Sequence, residues 1–389
     1  MASEKLFYAM AIFAIVSFVS MAAGNVLLGI SVLLYLVYAY KNGVCITEDS
    51  KKYYYFIGFF LLTMLLSAVG SGYLGKGLKE WADLWVWRLM PFVIITTAIK
   101  DYDKAKKILF AALVGFMIGV ICVNYQGLHG DYRAAGFFGN SMTFGGYLCV
   151  YLPILIVLLF ENDILQKYRW LTGVALVLGF IALIFNGTRG AWVALAPVLL
   201  FIMGRYSLKN KKYLILCLTV IVASGAILGN NRVFVDRVKS ITSTTNRSNN
   251  ERLLIWQSAY TMFRDHPVLG VGLGQYKDNY QQKYILPQAK EPYLTHAHNN
   301  FLQMLAENGI IGFVGFLTLL AGFIGYSFRC FWKESNPYAL MMSMSTLALV
   351  LQGFTEYNFG NSAVMKSFWL AQGCLLILSN SYGKTKQNE

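Results

Sequence analysis

Four histidines occur in the chain, and two of them, His296 and His298, stand one residue apart in THAHNNFLQ. An imidazole exchanges a proton near neutral pH, so either ring can serve as a general base. Two other roles fit this segment: Asn299 or Asn300 can cap a following helix, and the histidines can supply two zinc ligands. No Cys or acidic cluster nearby completes a recognisable metal set, so we predict a general base and no metal. His129 lies alone in a short loop and is expected to be solvated.

Arginines stand at other positions where chemistry is expected. Arg189 lies in NGTRG between two apolar segments, where an arginine usually faces a cavity or a partner, unless it reaches lipid phosphate. Arg252 opens an amphipathic segment, where a cation opposes the helix dipole, although Glu251 beside it compensates. For Arg133, in another short loop, structural and functional roles fit equally well. A guanidinium binds phosphate through two parallel hydrogen bonds, so these arginines predict a phosphate-bearing ligand.

Two further charged residues lie beside or within apolar sequence. Glu307 follows His298 by nine residues, about two and a half helical turns. We expect it to orient a neighbouring group or to pair with an arginine of the loop. Arg88 lies between tryptophans in WVWRLMPF, and we expect its side chain to reach the membrane interface.

The composition indicates that most of the chain lies in lipid. Charged residues make up 13% of the 389 residues and hydrophobic residues 57%, whereas a soluble domain has about a quarter charged residues. The net charge of +14 does not indicate nucleic-acid binding, because the basic residues are scattered between apolar segments. We therefore predict an all-α, polytopic membrane protein that binds membrane lipids and no nucleic acid.

Twelve segments meet or approach the roughly 20 apolar residues that a membrane-spanning helix needs. They are residues 6–22, 25–40, 53–71, 84–99, 108–125, 143–160, 169–186, 190–204, 213–229, 309–328, 338–355 and 363–379. The segments 84–99 and 190–204 carry the weakest signals.

Lysine and arginine predict the orientation, because cytoplasmic loops carry an excess of both. With the N-terminus inside, the inner segments hold Lys5; Lys41, Lys51, Lys52; Lys100, Lys104, Lys106, Lys107; Lys167, Arg169; Arg205, Lys209, Lys211, Lys212; Arg329, Lys333; Lys384 and Lys386. The short outer loops hold only Lys76, Lys79, Arg133 and Arg189, with Lys366 near the membrane edge. Both termini are therefore predicted to be cytoplasmic.

The one long polar segment, about 230–308, is then external. It has more basic than acidic residues, which an anionic substrate would explain. We expect a flexible stretch at 241–250, an amphipathic helix at 251–264 and a second short helix at 275–284. The predicted organisation is nine transmembrane helices in 1–229, a loop domain at 230–308, and three helices with a cytoplasmic tail in 309–389.

The motifs resemble those of the superfamily of O-antigen ligases and O-antigen polymerases, which are membrane glycosyltransferases. His298-Asn299, nine residues, Gly309, two residues and Gly312 resemble its signature within HAHNNFLQMLAENGIIGFVG. Three other segments resemble it in order: YRAAGFFGNSMTFGGYL (132–148), FNGTRGAWVAL (185–195) and ERLLIWQSAYTMFRDHPVLGVGLGQY (251–276). The resemblance covers about 130–315, whereas the first five helices match only in hydropathy.

The resemblance implies a role for each candidate residue and a GT-C-like glycosyltransferase architecture. It implies that His298 is the general base and that Arg189, Arg252 and, with them, Arg133 bind a diphosphate. The residues expected to help are His296, Asn299, Glu307 and Asn140, although Ser141 and Met142 depart from the family's pattern after Asn140.

The resemblance also implies the reaction. The donor would be an undecaprenyl-diphosphate-linked glycan in the bacterial inner membrane, and the acceptor would be the lipid A-core oligosaccharide. Transfer would invert the anomeric configuration at the periplasmic face, without metal or cofactor. An O-antigen polymerase and a protein O-oligosaccharyltransferase of the same superfamily remain alternatives. A transporter of lipid-linked oligosaccharides is the alternative from another class, but no repeat relates the two halves of the chain, as it does in many transporters.

Overall fold

The computed structural model describes residues 2–70, 72–131, 133–161, 169–208, 232–241 and 247–387. Within these ranges the regular structure is helical throughout, which confirms the all-α prediction. The predicted helix at 213–229 and residues 242–246 of the segment predicted to be flexible lie outside the described residues.

The helices are numbered here along the described chain. They are α1 (Ala2–Val16), α2 (Met21–Asn42), α3 (Glu48–Gly70), α4 (Leu74–Ile99), α5 (Tyr102–Leu128), α6 (Ser141–Phe160), α7 (Arg169–Asn186), α8 (Arg189–Ser207), α9 (Arg232–Lys239), α10 (Arg247–Asp265), α11 (Tyr276–Asn279), α12 (Asn300–Glu334), α13 (Pro337–Gln352) and α14 (Ser362–Gln387). A π-helical turn, Tyr280–Tyr284, extends α11, and a 3-10 turn, Asn358–Gly360, lies between α13 and α14.

Nine helices of the described chain are long and apolar enough to cross a membrane: α2 to α8, α12 and α14. The 16-residue α13 is apolar too, but shorter. The chain is thus a multi-pass membrane protein. The predicted amphipathic helix at 251–264 is α10, which begins four residues earlier, so residues 247–250 of the stretch predicted to be flexible are helical. The short helix predicted at 275–284 is α11 with its π turn.

Two helices form the centre of the bundle. The most apolar stretches of α6 and α14 are each 94% buried inside the protein, compared with 22% for that of α2. A helix that is hydrophobic all round is buried on every side by its neighbours; α6 packs against α7, α8 and α13, and α14 against α4, α5 and α13. Helix α8, which begins at Arg189, and helix α13, which Glu356 follows, thus pack on the most enclosed part of the fold.

Arg88 lies in the interior of the protein, so the expectation that it reaches the membrane interface was wrong. Its side chain is buried, donates a hydrogen bond of 2.6 Å to the Gly360 carbonyl, and pairs with Asp83 at 3.2 Å. A buried guanidinium needs hydrogen-bonding partners. Since those of Arg88 belong to α4 and to the connection between α13 and α14, its side chain links the two.

Helix α12 begins at Asn300, before the expected start at 309, and bends sharply at Gly309. Gly309 has φ 57° and ψ −160°, and its neighbours form hydrogen bonds with the preceding loop turn: Ile310 N to Pro267 O at 2.8 Å and Val271 N to Ala306 O at 2.8 Å. A Cβ at position 309 would lie 2.3 Å from the Val268 carbonyl oxygen. The absent side chain therefore allows the 267–272 turn to dock on the helix.

The loops that carry the candidate residues meet at one end of the bundle. Asn186 donates to the carbonyls of Ala134 and Ser141, which joins the α5–α6 and α7–α8 connections. Lys76 of α4 pairs with Asp278 of the long loop at 2.7 Å. In addition, α10 packs against α12. The site is therefore assembled from segments far apart in the sequence.

Replacing Gly309 with alanine is expected to destabilise the protein. An alanine pays about 1–2 kcal/mol for the left-handed conformation, and its methyl group also clashes with the Val268 carbonyl. We expect a total loss of about 2 kcal/mol or more and a lower midpoint of thermal unfolding in detergent. The matched control is Gly58→Ala in α3, where a Cβ meets nothing within 4 Å; equal unfolding midpoints for the two variants would contradict this account of the kink.

Candidate active site

His298 is paired with a carboxylate from a distant part of the chain. Its Nδ1 lies 3.1 Å from Oε2 of Glu356, which belongs to the connection between α13 and α14. The two side chains are 24% and 12% exposed, so water competes little for the bond but the imidazole still reaches a surface. His298 has φ 47°, an unusual conformation for a residue with a Cβ. Strain of this kind persists where the surrounding structure holds the residue in place.

The pair determines which nitrogen of His298 is available. Burial raises the pKa of Glu356. The hydrogen bond and charge of His298, together with the charges of His296 and Arg252, lower it by more, so the pKa of Glu356 lies below its ordinary value. Glu356 is therefore anionic at neutral pH and accepts the Nδ1–H of His298. The tautomer assigned from this bond leaves the Nε2 lone pair free to accept a proton.

Two asparagines after His298 hold the pair together. Asn299 caps α12 by accepting hydrogen bonds from the amides of Phe301 and Leu302, as the capping alternative predicts, and its Nδ2 also donates to the Phe354 carbonyl at 3.0 Å. The amide of Asn300 donates to the Gly353 carbonyl at 2.7 Å. The segment that carries Glu356 is therefore attached directly to the helix start that carries His298.

His296 lies beside the pair as a neutral ring. Its Nδ1 accepts a hydrogen bond from the His298 amide at 3.3 Å, and the two imidazole centroids are 4.2 Å apart. Burial first, and then the nearby His298, lower the pKa of His296 to about 4, although Glu356 opposes this shift. At neutral pH His296 therefore acts as a hydrogen-bond acceptor and packing partner of the His298 segment.

Three of these side chains are close enough to share a metal ion. One ligand atom each from His296, His298 and Glu356 lies within 4.8 Å of the others, and two imidazoles with a carboxylate are a known zinc set. No acidic residue near the two histidines in the sequence completes the set, but the fold brings Glu356 beside them. The ligand types thus fit a metal, whereas the direct His298–Glu356 bond already satisfies both partners without one.

Next to the pair lies a cavity, here called the arginine cavity. Among the described residues, its walls include Arg133, Arg189, Arg237 and Arg252 and one carboxylate, that of Glu356. The sequence analysis selected three of these arginines. The structure brings all three together and adds Arg237. Four guanidinium groups around one cavity would repel each other without an anion between them, so the arrangement is that of an anion-binding site.

Helices and loop contacts orient the arginines. Arg189 is the first residue of α8, and its guanidinium donates to the carbonyl and hydroxyl oxygens of Ser240 and to Oδ1 of Asn249 at 2.9 Å. Burial, followed by the charge of Arg133, lowers the pKa of Arg252, while Glu356 raises it. Arg133 has φ 82° and an exposed side chain. Because Thr188 and Gly190 also line the cavity, the positive end of the α8 dipole points toward it.

An apolar groove continues from the arginine cavity along the bundle. Arg189 and Arg252 border both spaces, and the groove is lined further by Val193, Pro197 and Leu351. A ligand with an anionic head and an apolar tail would fit, with its head in the arginine cavity and its tail in the groove.

The remaining candidates stabilise loops around the site. Asn140 caps α6 by accepting the Met142 amide at 2.9 Å. Glu307, expected to orient a group or pair with a loop arginine, accepts the Tyr276 amide at 2.9 Å. It therefore orients the 270–276 turn, and in the described part of the chain no arginine forms an ion pair with it.

Sequence reasoning missed Glu356 and Arg237. Glu356 had a usable signal, since it is the only charged residue in the polar segment GFTEYNFGNS between two apolar helices. Arg237 had none, because it is one of nine basic residues in a long polar segment.

Comparisons with known proteins agree with the proposed resemblance. Residues 174–317 match the model of a family described as O-antigen ligase, a range that includes Arg189, Arg252 and His298. This match confirms the resemblance to the O-antigen ligase superfamily. A protein of Haemophilus influenzae, described as an uncharacterized protein, is 23% identical over 357 residues, which cover 85% of this chain and 87% of the relative. That similarity extends on both sides of the family match.

The lowered pKa of His296 predicts a pH dependence of stability. Between its unfolded value of about 6.5 and its folded value of about 4, the unfolded chain binds the proton more readily. The contribution of neutral His296 to the free energy of unfolding is therefore fully present above pH 6.5 and is lost as the pH falls toward 4. Thermal unfolding in detergent from pH 7 to 4.5 should show a smaller fall for His296→Gln than for wild type. Parallel curves would contradict the assignment, because Glu356 stays ionised over most of this range.

Proposed function

We propose that this protein is an O-antigen ligase, which transfers a glycan from undecaprenyl diphosphate to a hydroxyl group of a lipid A-core acceptor. The match to the O-antigen ligase family supports a membrane glycosyltransferase acting on a lipid-linked glycan. The observation that carries the specific mechanism is the His298–Glu356 pair at 3.1 Å, placed at the edge of a cavity with four arginines.

The arginine cavity would hold the donor's diphosphate. Guanidinium groups form paired hydrogen bonds with phosphate oxygens, and the N-terminus of α8 adds its dipole. The polyprenyl chain would lie in the apolar groove beside Val193, Pro197 and Leu351. Cations placed here stabilise the charge that develops as the diphosphate leaves, which is often the largest catalytic contribution.

His298 would activate the acceptor. Its Nε2 takes the proton of the acceptor hydroxyl while the hydroxyl oxygen attacks the anomeric carbon of the donor sugar. The bond between that carbon and the diphosphate oxygen breaks, and its electron pair leaves with the diphosphate. Glu356 stabilises the imidazolium that forms and, by accepting the Nδ1–H, leaves Nε2 free to take the proton. A single displacement of this kind inverts the anomeric configuration.

The proposed reaction uses no metal ion. The four arginines supply positive charge at the leaving group, where other transferases place a divalent cation. The donor's bond between the sugar and the diphosphate stores the free energy of transfer, so no nucleotide is required. The periplasmic face of the inner membrane, with both chain termini in the cytoplasm, is the location proposed for the protein.

Replacing His298 with alanine is expected to abolish glycan transfer. A positioned general base contributes about 10²- to 10⁴-fold, so the rate should fall by that factor. Purified protein in liposomes would receive undecaprenyl-diphosphate glycan and lipid A-core, with EDTA present, and products would be resolved by gel. His129→Ala is the matched control, because that imidazole is exposed and bonds to the Tyr125 carbonyl, four residues earlier in the chain.

The other outcomes of this assay separate the alternatives. Growth of polymer on the lipid donor would identify a polymerase, and transfer to serine or threonine of an added protein would identify a protein O-oligosaccharyltransferase. Transfer that EDTA abolishes and Zn²⁺ restores would replace the metal-free mechanism with one at His296, His298 and Glu356. Movement of labelled donor across the bilayer without any product would identify a transporter.

A further inference from the structure

A second cavity, here called the polar cavity, also borders Glu356. Its walls include Glu80, Asn140, Lys277, Gln303, Glu307 and Asn361. His296 and Glu356 also line it, and both contact His298. Glu356 is the residue that borders both the polar and the arginine cavities. Glu356, the partner of His298, thus borders two spaces, one of which the proposed donor occupies.

The two cavities differ in the sign of their charge. Of the residues that the structure describes, four arginines face one carboxylate in the arginine cavity, whereas the carboxylates of Glu80 and Glu356 face the ammonium of Lys277 in the polar cavity. The carboxylates of the polar cavity repel a phosphate group. Carboxylates and side-chain amides instead accept and donate hydrogen bonds to neutral hydroxyl groups.

A buried hydroxyl in the wall of the polar cavity needs a partner. Tyr357 is 9% exposed, and within the described chain its hydroxyl makes no hydrogen bond. Leaving a buried hydroxyl unpaired costs about 1–3 kcal/mol. A hydroxyl-bearing ligand in the polar cavity would supply the missing partner.

The wall that carries Glu80 is held in place by the long loop. Gly274 has φ 73°, and a Cβ at that position would lie 2.4 Å from Cγ of Glu80. Lys76, one turn earlier on α4, pairs with Asp278 and also donates to Gln275. The carboxylate of Glu80 is therefore positioned by α4 and by the turn that follows α10.

We propose that the polar cavity is the acceptor subsite and that it selects a neutral, unphosphorylated sugar as the residue to be glycosylated. This inference rests on the proposed function. It adds the chemistry of the acceptor, which the family match leaves open. Donor and acceptor would occupy the two cavities that Glu356 borders. Inversion then requires the acceptor hydroxyl to attack the anomeric carbon from the face opposite the leaving diphosphate.

The test measures donor and acceptor kinetics separately in Glu80→Gln. With donor saturating, the KM for lipid A-core ending in a neutral hexose should rise about tenfold, because the loss of one hydrogen bond to a charged group weakens binding by about that factor. The KM for the donor should not change, which also shows that the variant is folded. Glu291→Gln is the matched control, since Glu291 is a partly exposed acid of the long loop that lines neither cavity.

A second variant tests selectivity directly. Wild type should use the neutral acceptor at least tenfold better, in kcat/KM, than the same glycolipid carrying a phosphate on its terminal hexose. Glu80→Lys should reduce that preference, because it reverses one charge of the wall.

The inference is overturned if Glu80→Gln changes the donor KM alone, or if both Glu80 variants keep the wild-type acceptor KM and preference. Either result would still be compatible with transfer that depends on His298. Absence of any His298-dependent transfer would instead refute the proposed function, so the two failures are distinguishable.

Discussion

The amide of Asn300 donates to the Gly353 carbonyl at 2.7 Å, and its side chain donates to Oδ1 of Asn358 at 2.8 Å. Asn358 in turn donates to the Leu349 carbonyl and to Gln352. These buried bonds join the start of α12 to the end of α13. No side chain fits at Gly353, where a Cβ would lie 2.0 Å from Nδ2 of Asn300. The distance between His298 and Glu356 depends on this junction.

Buried polar groups of this kind are retained only when they are satisfied, since each unmade hydrogen bond is costly in a low-dielectric interior. Here the bonds are shared between two helix ends, so neither end can move without breaking several of them. Arg88 reinforces the same segment from α4 through the Gly360 carbonyl. The result is a rigid carboxylate that orients one imidazole and borders both a cationic and a polar cavity. That preorganisation is the physical basis of the proposed catalysis.

The sequence predicts the all-helical membrane architecture because the membrane sets the apolar lengths, although nine described helices rather than the predicted twelve are long and apolar enough to span it. It selects His298, Arg189 and Arg252 as candidates because their motifs are local. Glu356 was missed since its partner is 58 positions away, and only the fold brings the two together. Arg88 was misinterpreted because hydropathy does not distinguish a lipid-facing arginine from one that faces the bundle. The early start of α12 was missed because the bend at Gly309 depends on contacts with the 267–272 turn.

The most direct test of the account is a double-mutant cycle on glycan transfer with wild type, His298→Ala, Glu356→Gln and the double variant. If Glu356 acts only through His298, Glu356→Gln should slow wild type by about tenfold or more, yet slow His298→Ala by less than about threefold. Losses that multiply in the double variant would contradict the pair as a catalytic unit and would assign Glu356 an independent role.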